Sequence, residues 1–369
     1  MTGLAQSGVP SGALSGVLAA ARDPLRRRQR LVLASLSVLL ALAVLAACAS
    51  GAMAIAPDHV LAAIAARLGI ETGVALEPYD DAVLFDIRLP RIALGLGVGA
   101  TLGISGAALQ ALFRNPLADP GLAGVSGGAA LGAVGWIVLG AAAPAMLQGP
   151  FALPVVAFAG GLAATAGVLA IGRGRGAGDT ATLLLAGLAV NALCTAAIGY
   201  LTYLGTDVQL RALTFWLLGG LGGATWAQVW PALVVCGVAL AGLAALARRF
   251  DALALGERTA GHLGLDVATL RRITVLLVAL GVGAGVALTG MIGFVGLAAP
   301  HLARLAGGPA HRYVLPAAGL TGALLLVATD LVARTAVAPA ELPVGVVTSA
   351  IGAPFFIWLL RRRQKAPAP

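Results

Sequence analysis

Lysine is almost missing from this sequence: it occurs once, at Lys365, beside 23 arginines. The phosphate-binding loop of a P-loop hydrolase needs a lysine directly after its glycine-rich turn. Lys365 follows no such turn, so the chain is not expected to hydrolyse ATP by that route. Charge of either sign is scarce, at 11% of 369 residues, where a soluble domain carries about a quarter. With 59% hydrophobic residues the chain cannot dress a surface that faces water, and it needs lipid around most of its perimeter.

Other absences narrow the chemistry. Three cysteines (Cys48, Cys194, Cys236) lie far apart in apolar runs, and four histidines (His59, His262, His301, His311) do not cluster. Neither set has metal-ligand spacing or suggests a disulfide framework, and the cysteines read as small apolar filler. No zinc-protease His-Glu-x-x-His occurs. Acidic residues inside the apolar runs are nearly absent, with Asp330 the main exception. That scarcity argues against an ion-coupled carrier, which keeps ionisable relays near the bilayer midplane. Aromatics are only 5% and no nucleic-acid signature appears, so the net charge of +9 reflects membrane topology and no nucleic-acid partner is expected.

What is present is a series of ten apolar runs, at about 31–56, 92–112, 122–143, 151–171, 181–204, 226–247, 273–291, 293–306, 314–332 and 342–360. The eighth is too short to cross a hydrocarbon core of about 30 Å. The expected fold class is an all-α polytopic membrane protein with about ten transmembrane helices. With the N-terminus placed in the cytoplasm, 19 of the 24 basic residues fall on the inner side. Arg67, Arg88, Arg91, Arg211 and Arg334 fall outside, as the positive-inside rule requires. Both termini are then cytoplasmic, in a multi-pass protein of a bacterial inner membrane. The run Arg26-Arg27-Arg28-Gln29-Arg30, followed by apolar residues and Leu45-Ala46-Ala47-Cys48, imitates a lipoprotein signal. Its apolar stretch continues to Ala56, too long for a signal h-region. The expected organisation is an N-terminal tail over 1–30, one transmembrane domain over 31–361 with a cytoplasmic loop at about 251–267, and a short tail over 362–369. The first outer segment, about 57–87, is acidic and opens on a helical pattern from Pro57 to Leu68. Fifty-one glycines predict closely packed helices, since small faces drive association in lipid.

Short motifs punctuate these runs. Arg88-Leu89-Pro90-Arg91 puts two arginines on one helical face at the outer start of the second run, where they read as headgroup anchors. Ser105-Gly106-Ala107-Ala108-Leu109-Gln110, Arg114-Asn115-Pro116-Leu117-Ala118-Asp119-Pro120 and Gly127-Gly128-Ala129 follow in order. Then come Leu184-Leu185-Ala186-Gly187, Phe215-Trp216-Leu217-Leu218-Gly219-Gly220 and Leu255-Gly256-Glu257 with Ala260, Leu263 and Gly264. Gly293-Phe294-Val295-Gly296-Leu297 with Pro300-His301, Asp330 with Arg334, and Glu341-Leu342-Pro343-Val344-Gly345 with Gly352-Ala353-Pro354-Phe355 complete the series. Over about 85–361 this order resembles the FecCD-type permeases of haem, iron-siderophore and cobalamin importers.

The resemblance implies a type II ABC importer permease fold of ten spans. It also implies a homodimer around a central pathway, a cytoplasmic ATPase dimer that holds ATP and Mg, and a periplasmic substrate-binding protein. No cofactor is expected on this chain itself. Arg88, Arg91 and Arg334 match the family's docking arginines, and Asp330, four residues before Arg334, can orient it. Leu255, Gly256, Glu257, Ala260, Leu263 and Gly264 match the loop that couples to the ATPase, read here as two short helices broken near Gly264. Glu257 there either caps a helix or pairs with a basic partner group. Asn115, Leu117, Asp179 and Thr180 match the inner gate, although Asp179-Thr180 is also an ordinary helix start. Asn191 and Tyr200 either face the pathway or bridge helices. Haem is the favoured cargo, with a ferric siderophore or cobalamin as alternatives and ion-coupled secondary transport as a distant one.

Overall fold

A computed structural model describes residues 11–364 except 52, 71, 72, 75, 76, 78 and 173–179. Among the described residues every regular element is helical. In chain order they are α1 (Ser11–Ala49), α2 (Pro57–Arg67) and α3 (Asp80–Ala82), which passes through π-helical Val83–Arg88 into α4 (Leu89–Leu112). A 3-10 turn at Pro120–Ala123 precedes α5 (Val125–Leu139), α6 (Ala152–Ile171), α7 (Thr180–Leu204), α8 (Asp207–Leu218) and α9 (Trp226–Ala245). Then follow α10 (Ala247–Leu253), α11 (Glu257–His262), α12 (Val267–Thr289), α13 (Val295–Gly307), α14 (His311–Thr335) and α15 (Val344–Gln364).

Among the described residues, eight helical stretches are long and apolar enough to cross a membrane. The two remaining apolar runs are the 13-residue α13 and α15, whose shorter apolar stretch is Val344–Ile357. All ten expected runs are therefore helices, with the eighth short, as its length required. Three boundaries differ from expectation. α1 begins at Ser11, inside the segment expected to be a tail, and stops at Ala49 although apolar residues continue. At that end Arg88 donates to the carbonyls of Cys48 and, just beyond the helix, Met53. A cation suits the carbonyl-bearing end of a helix. The segment after α7, expected only as an outer connection, holds α8, started by a reciprocal capping box between Thr206 and Gln209.

The centre of the bundle is α4, which packs along α14 on one side and near α13, α12 and α9 on others. Small residues set these distances. A Cβ at Gly103 would lie 2.1 Å from the carbonyl oxygen of Ala318, and one at Gly106 would lie 1.8 Å from that of Gly296. Backbone therefore touches backbone along this face, and the lost side chains are offset by closer van der Waals contact.

Candidate functional site

Most of the residues singled out in the sequence fall in three places: the Asp330 end of α14, the segment after α4, and α11. At the Asp330 end, Arg91 clasps Asp330 through Nε and Nη2 at 2.8–3.0 Å. Its Nη1 donates to Glu341 at 2.9 Å. Arg334 donates to the carbonyl of Ala47 at 2.6 Å, and its Nε stands 3.8 Å from Asp330. Arg88 serves the end of α1. The three arginines expected to crown an open mouth are thus brought together, but each turns inward and is at most 7% exposed. A charge taken out of water is tolerable only when paired, and the carbonyls of α1 and the Asp330 carboxylate supply the partners. Asp330, expected to orient Arg334, faces it as an i,i+4 ion pair and makes its two-pronged contact with Arg91. Glu341 is the exposed edge of the cluster, its side chain 47% accessible. It borders a cavity of about 350 Å³ lined also by Arg91, Trp216 and the glycines between 219 and 223.

A polar layer covers this end. His59 on α2 meets Asp80 at 2.9 Å, and Arg67 meets Asp81 at 2.6 Å while lying over the Phe85 ring. The hydrogen bond to Asp80 raises the imidazole pKa of His59.

The middle site is the segment after α4. Asn115 accepts the Leu117 amide at 2.9 Å, and Asp119 accepts that of Gly121 at 2.8 Å. The chain then turns back into the bundle. Pro120 packs on Gly296 of α13, and the Leu122 carbonyl lies against Gly187, about 10 Å along α7 from its start. Irregular backbone at that depth must be enclosed by protein or line a cavity. Asn191 meets this need by donating to the Gly121 carbonyl at 2.9 Å. It is a bridge between α7 and this segment. Leu117 and Tyr200 are exposed, at 56% and 65%. Asp179 lies outside the described residues, and Thr180 is described only as the first residue of α7.

The third site is α11, bracketed by Gly256 at φ 109° and Gly264 at φ 81°. Both angles are in the region that suits glycine, so the short helix is cut off cleanly at both ends. Leu255 and Leu263 stand 65% exposed on either side of buried Ala260. Two accessible leucines flanking a short helix are a surface suited to a protein partner. Glu257 opens α11 and accepts from Arg271 of α12 at 3.2 Å, so a basic partner for it exists within the chain. Asp266 caps α12 through the Thr269 amide and hydroxyl, which lowers its carboxyl pKa. A break lies near Gly264 as expected, but it separates α11 from the long α12, so only one short helix, α11, lies wholly within 253–267; the other short helix, α10, precedes it at Ala247–Leu253.

Sequence reasoning did not single out Glu341 as a site residue, although it lies in a quoted motif. The re-entrant turn had one signal, the Asn-Pro-Leu-Ala-Asp-Pro run, which cannot continue a helix.

Comparison with known proteins gives consistent matches. The model of the FecCD transport family matches residues 39–362. The haemin transport system permease protein HmuU of Yersinia pestis is 45% identical over 77% of this chain and 84% of its own length. The vitamin B12 import system permease protein BtuC of Escherichia coli O9:H4 is 42% identical over 95% of this chain and all of its own. A solved structure described as an inward-facing conformation of a metal-chelate type ABC transporter superposes with a TM-score of 0.78 at 30% identity. It covers 90% of this chain and 99% of that one.

Proposed function

The chain belongs to the FecCD transport family, and from that premise we propose that it is the permease subunit of an ATP-driven importer whose cargo is haem. It is a multi-pass membrane permease of the class that serves metal chelates, haem and vitamin B12. The observation that carries the haem reading is the 45% identity to a haemin permease. Cobalamin is the second reading, favoured by a match that spans the whole length of a vitamin B12 permease. ATP and Mg belong to a separate ATPase dimer, which α11 contacts through Leu255 and Leu263. Two copies of the chain enclose the pathway, their exposed apolar faces on α7 and α15 covering one another. Leu185, Leu188, Leu193 and Ile351 are each more than half exposed in the single chain, which supports this pairing.

A periplasmic delivery protein docks at the Asp330 end. Because Arg88, Arg91 and Arg334 are already paired, an acidic group of that protein reaches Arg91 by displacing Glu341. The steering contribution weakens as salt rises. The gate is the re-entrant segment holding Asn115 and Leu117, met by the start of α7 at Asp179 and Thr180.

The test is co-purification with the partner ATPase and reconstitution into liposomes with the delivery protein. ATP-dependent uptake of haem that excess cobalamin does not inhibit supports the reading. Uptake of cobalamin alone replaces it with the second. Uptake driven by an ion gradient, with no ATPase attached, overturns both. In the same assay Glu341→Gln lowers the delivery-protein concentration needed for half-maximal stimulation, because the internal competitor for Arg91 has lost its charge.

A further inference from the structure

α14 begins without a cap of its own. Its N-cap is Ala310, whose side chain accepts nothing. The first amides of a helix need partners, and a carboxylate is the strongest, because it also meets the positive end of the helix dipole. The carboxylate comes from another element. Asp251 of α10 accepts from the His311 backbone amide at 2.7 Å and lies 2.9 Å from its ring Nδ1 through the same oxygen. Phe250, fully buried, lays its ring against that imidazole at 6.0 Å. Two consecutive residues of α10 therefore grip one residue of α14, and α10 leads within three residues into α11.

From there α14 runs unbroken past Pro316 for 25 residues, about 37 Å. Its other end is gripped as firmly. Asp330, about 28 Å along the axis from His311, holds Arg91, and Arg334 holds the end of α1. Arg91 in turn holds Glu341, which stands just before α15. A single helix is thus hydrogen-bonded at one end to the ATPase-facing element and at the other to the docking end. Close-packed helices move as rigid pieces, so a shift at one grip reappears at the other.

We propose that α14 is the strut that carries the state of the ATPase-facing element to the docking end, and that Asp251 and His311 are the positioning residues that join it to that element. The strut rests on the functional reading above, which supplies the partners at each end. The link is energetic and reciprocal, so delivery protein on one side and ATP on the other each change the affinity for the other through it.

The test uses the full permease–ATPase complex in liposomes. The readout is the ratio of ATP hydrolysis with delivery protein to hydrolysis without it, which corrects for the amount of assembled complex. Asp251→Ala removes the acceptor, and Asp251→Asn restores one. His311→Ala removes only the ring contact, and His311→Asn returns a donor near the position of Nδ1. Both alanine variants are expected to lower the ratio by about five- to tenfold, the lower range of allosteric couplings, and both asparagine variants to recover most of it. Should Asp251→Ala fail to assemble, the two His311 variants make the same comparison with the backbone cap in place. A ratio unchanged in the alanine variants overturns the strut while leaving the importer reading intact. So does a ratio that falls equally in the asparagine variants alongside the thermal midpoint, since that is the mark of a merely structural role. A wild-type complex that shows no stimulation removes the functional reading, and the strut falls with it.

Discussion

α1 and α4 cross the same bilayer and are built on opposite terms. α1 is the most apolar of the long spans, and 11% of its spanning window is buried in the protein. The span that includes α4 begins among aspartates and arginines, carries glycine at 95, 97, 99, 103 and 106, and is 78% buried. In water the more apolar helix would take the centre. In lipid, apolarity gives no preference for protein over solvent, so apolar residues such as Leu31, Val38 and Leu42 stay outside. The centre goes to segments whose small residues let backbones touch and whose charges find partners only inside. α14 follows α4, because it supplies Asp330 and the carbonyl of Ala318 that α4 needs.

The sharpest way to break this contrast is to remove the carboxylate at the centre. Asp330→Ala leaves Arg334 and part of Arg91 buried without a counter-charge, and is expected to cost about 3–5 kcal/mol in unfolding measured in detergent. Leu42→Ala, a truncation on the exposed face of α1, should stay within about 0.5 kcal/mol. Equal losses would mean that apolar area, not internal pairing, holds the bundle together.

Next in size is the backbone contact. Gly106→Ala drives a methyl group into the Gly296 carbonyl, and a loss of about 1–3 kcal/mol is expected from the forced separation of α4 and α13. Gly199→Ala on α7 meets nothing within 4 Å. It should be neutral or slightly stabilising, and a loss as large as that of Gly106→Ala would refute the packing account.

Smaller again is the bridge between the two kinds of region. Asn191→Ala strands the Gly121 carbonyl in the bundle, at an expected cost of about 1–2 kcal/mol. Faster thiol labelling of a cysteine placed at Leu117 should accompany it. Unchanged labelling would mean that the re-entrant turn is held by packing alone.

The smallest effect is on the polar layer outside the spans. The Asp80 contact raises the His59 pKa, so the contact is fully present below the ordinary histidine value of about 6.5. It is lost as pH rises through the higher folded value. A modest fall in thermal midpoint across that window is expected, and His59→Gln should flatten it.

Much of this was legible in the residue order. Arginine placement and ten apolar runs located the helices, and the short eighth run is the short α13. Gly264 marked the end of α11 because the left-handed backbone there suits glycine. The destinations of the arginines were not legible. Arg88, Arg91 and Arg334 sit at helix ends, where snorkelling into headgroups, docking a partner and closing an internal cluster all use the same residue type. Asn191 had two readings for the same reason. Asp251 and His311 gave no signal, since their meeting joins residues sixty apart with no shared pattern.

The sequence by itself determined that the chain lives in a membrane, where its apolar helices lie, and to which family it belongs, because these follow from composition, periodicity and motif order along the chain. The tertiary structure alone decided which helices form the centre and which charges face each other. Those outcomes depend on pairings between distant segments, and in a medium without a hydrophobic preference a pairing is selected by backbone fit and by the partner that each buried charge can reach.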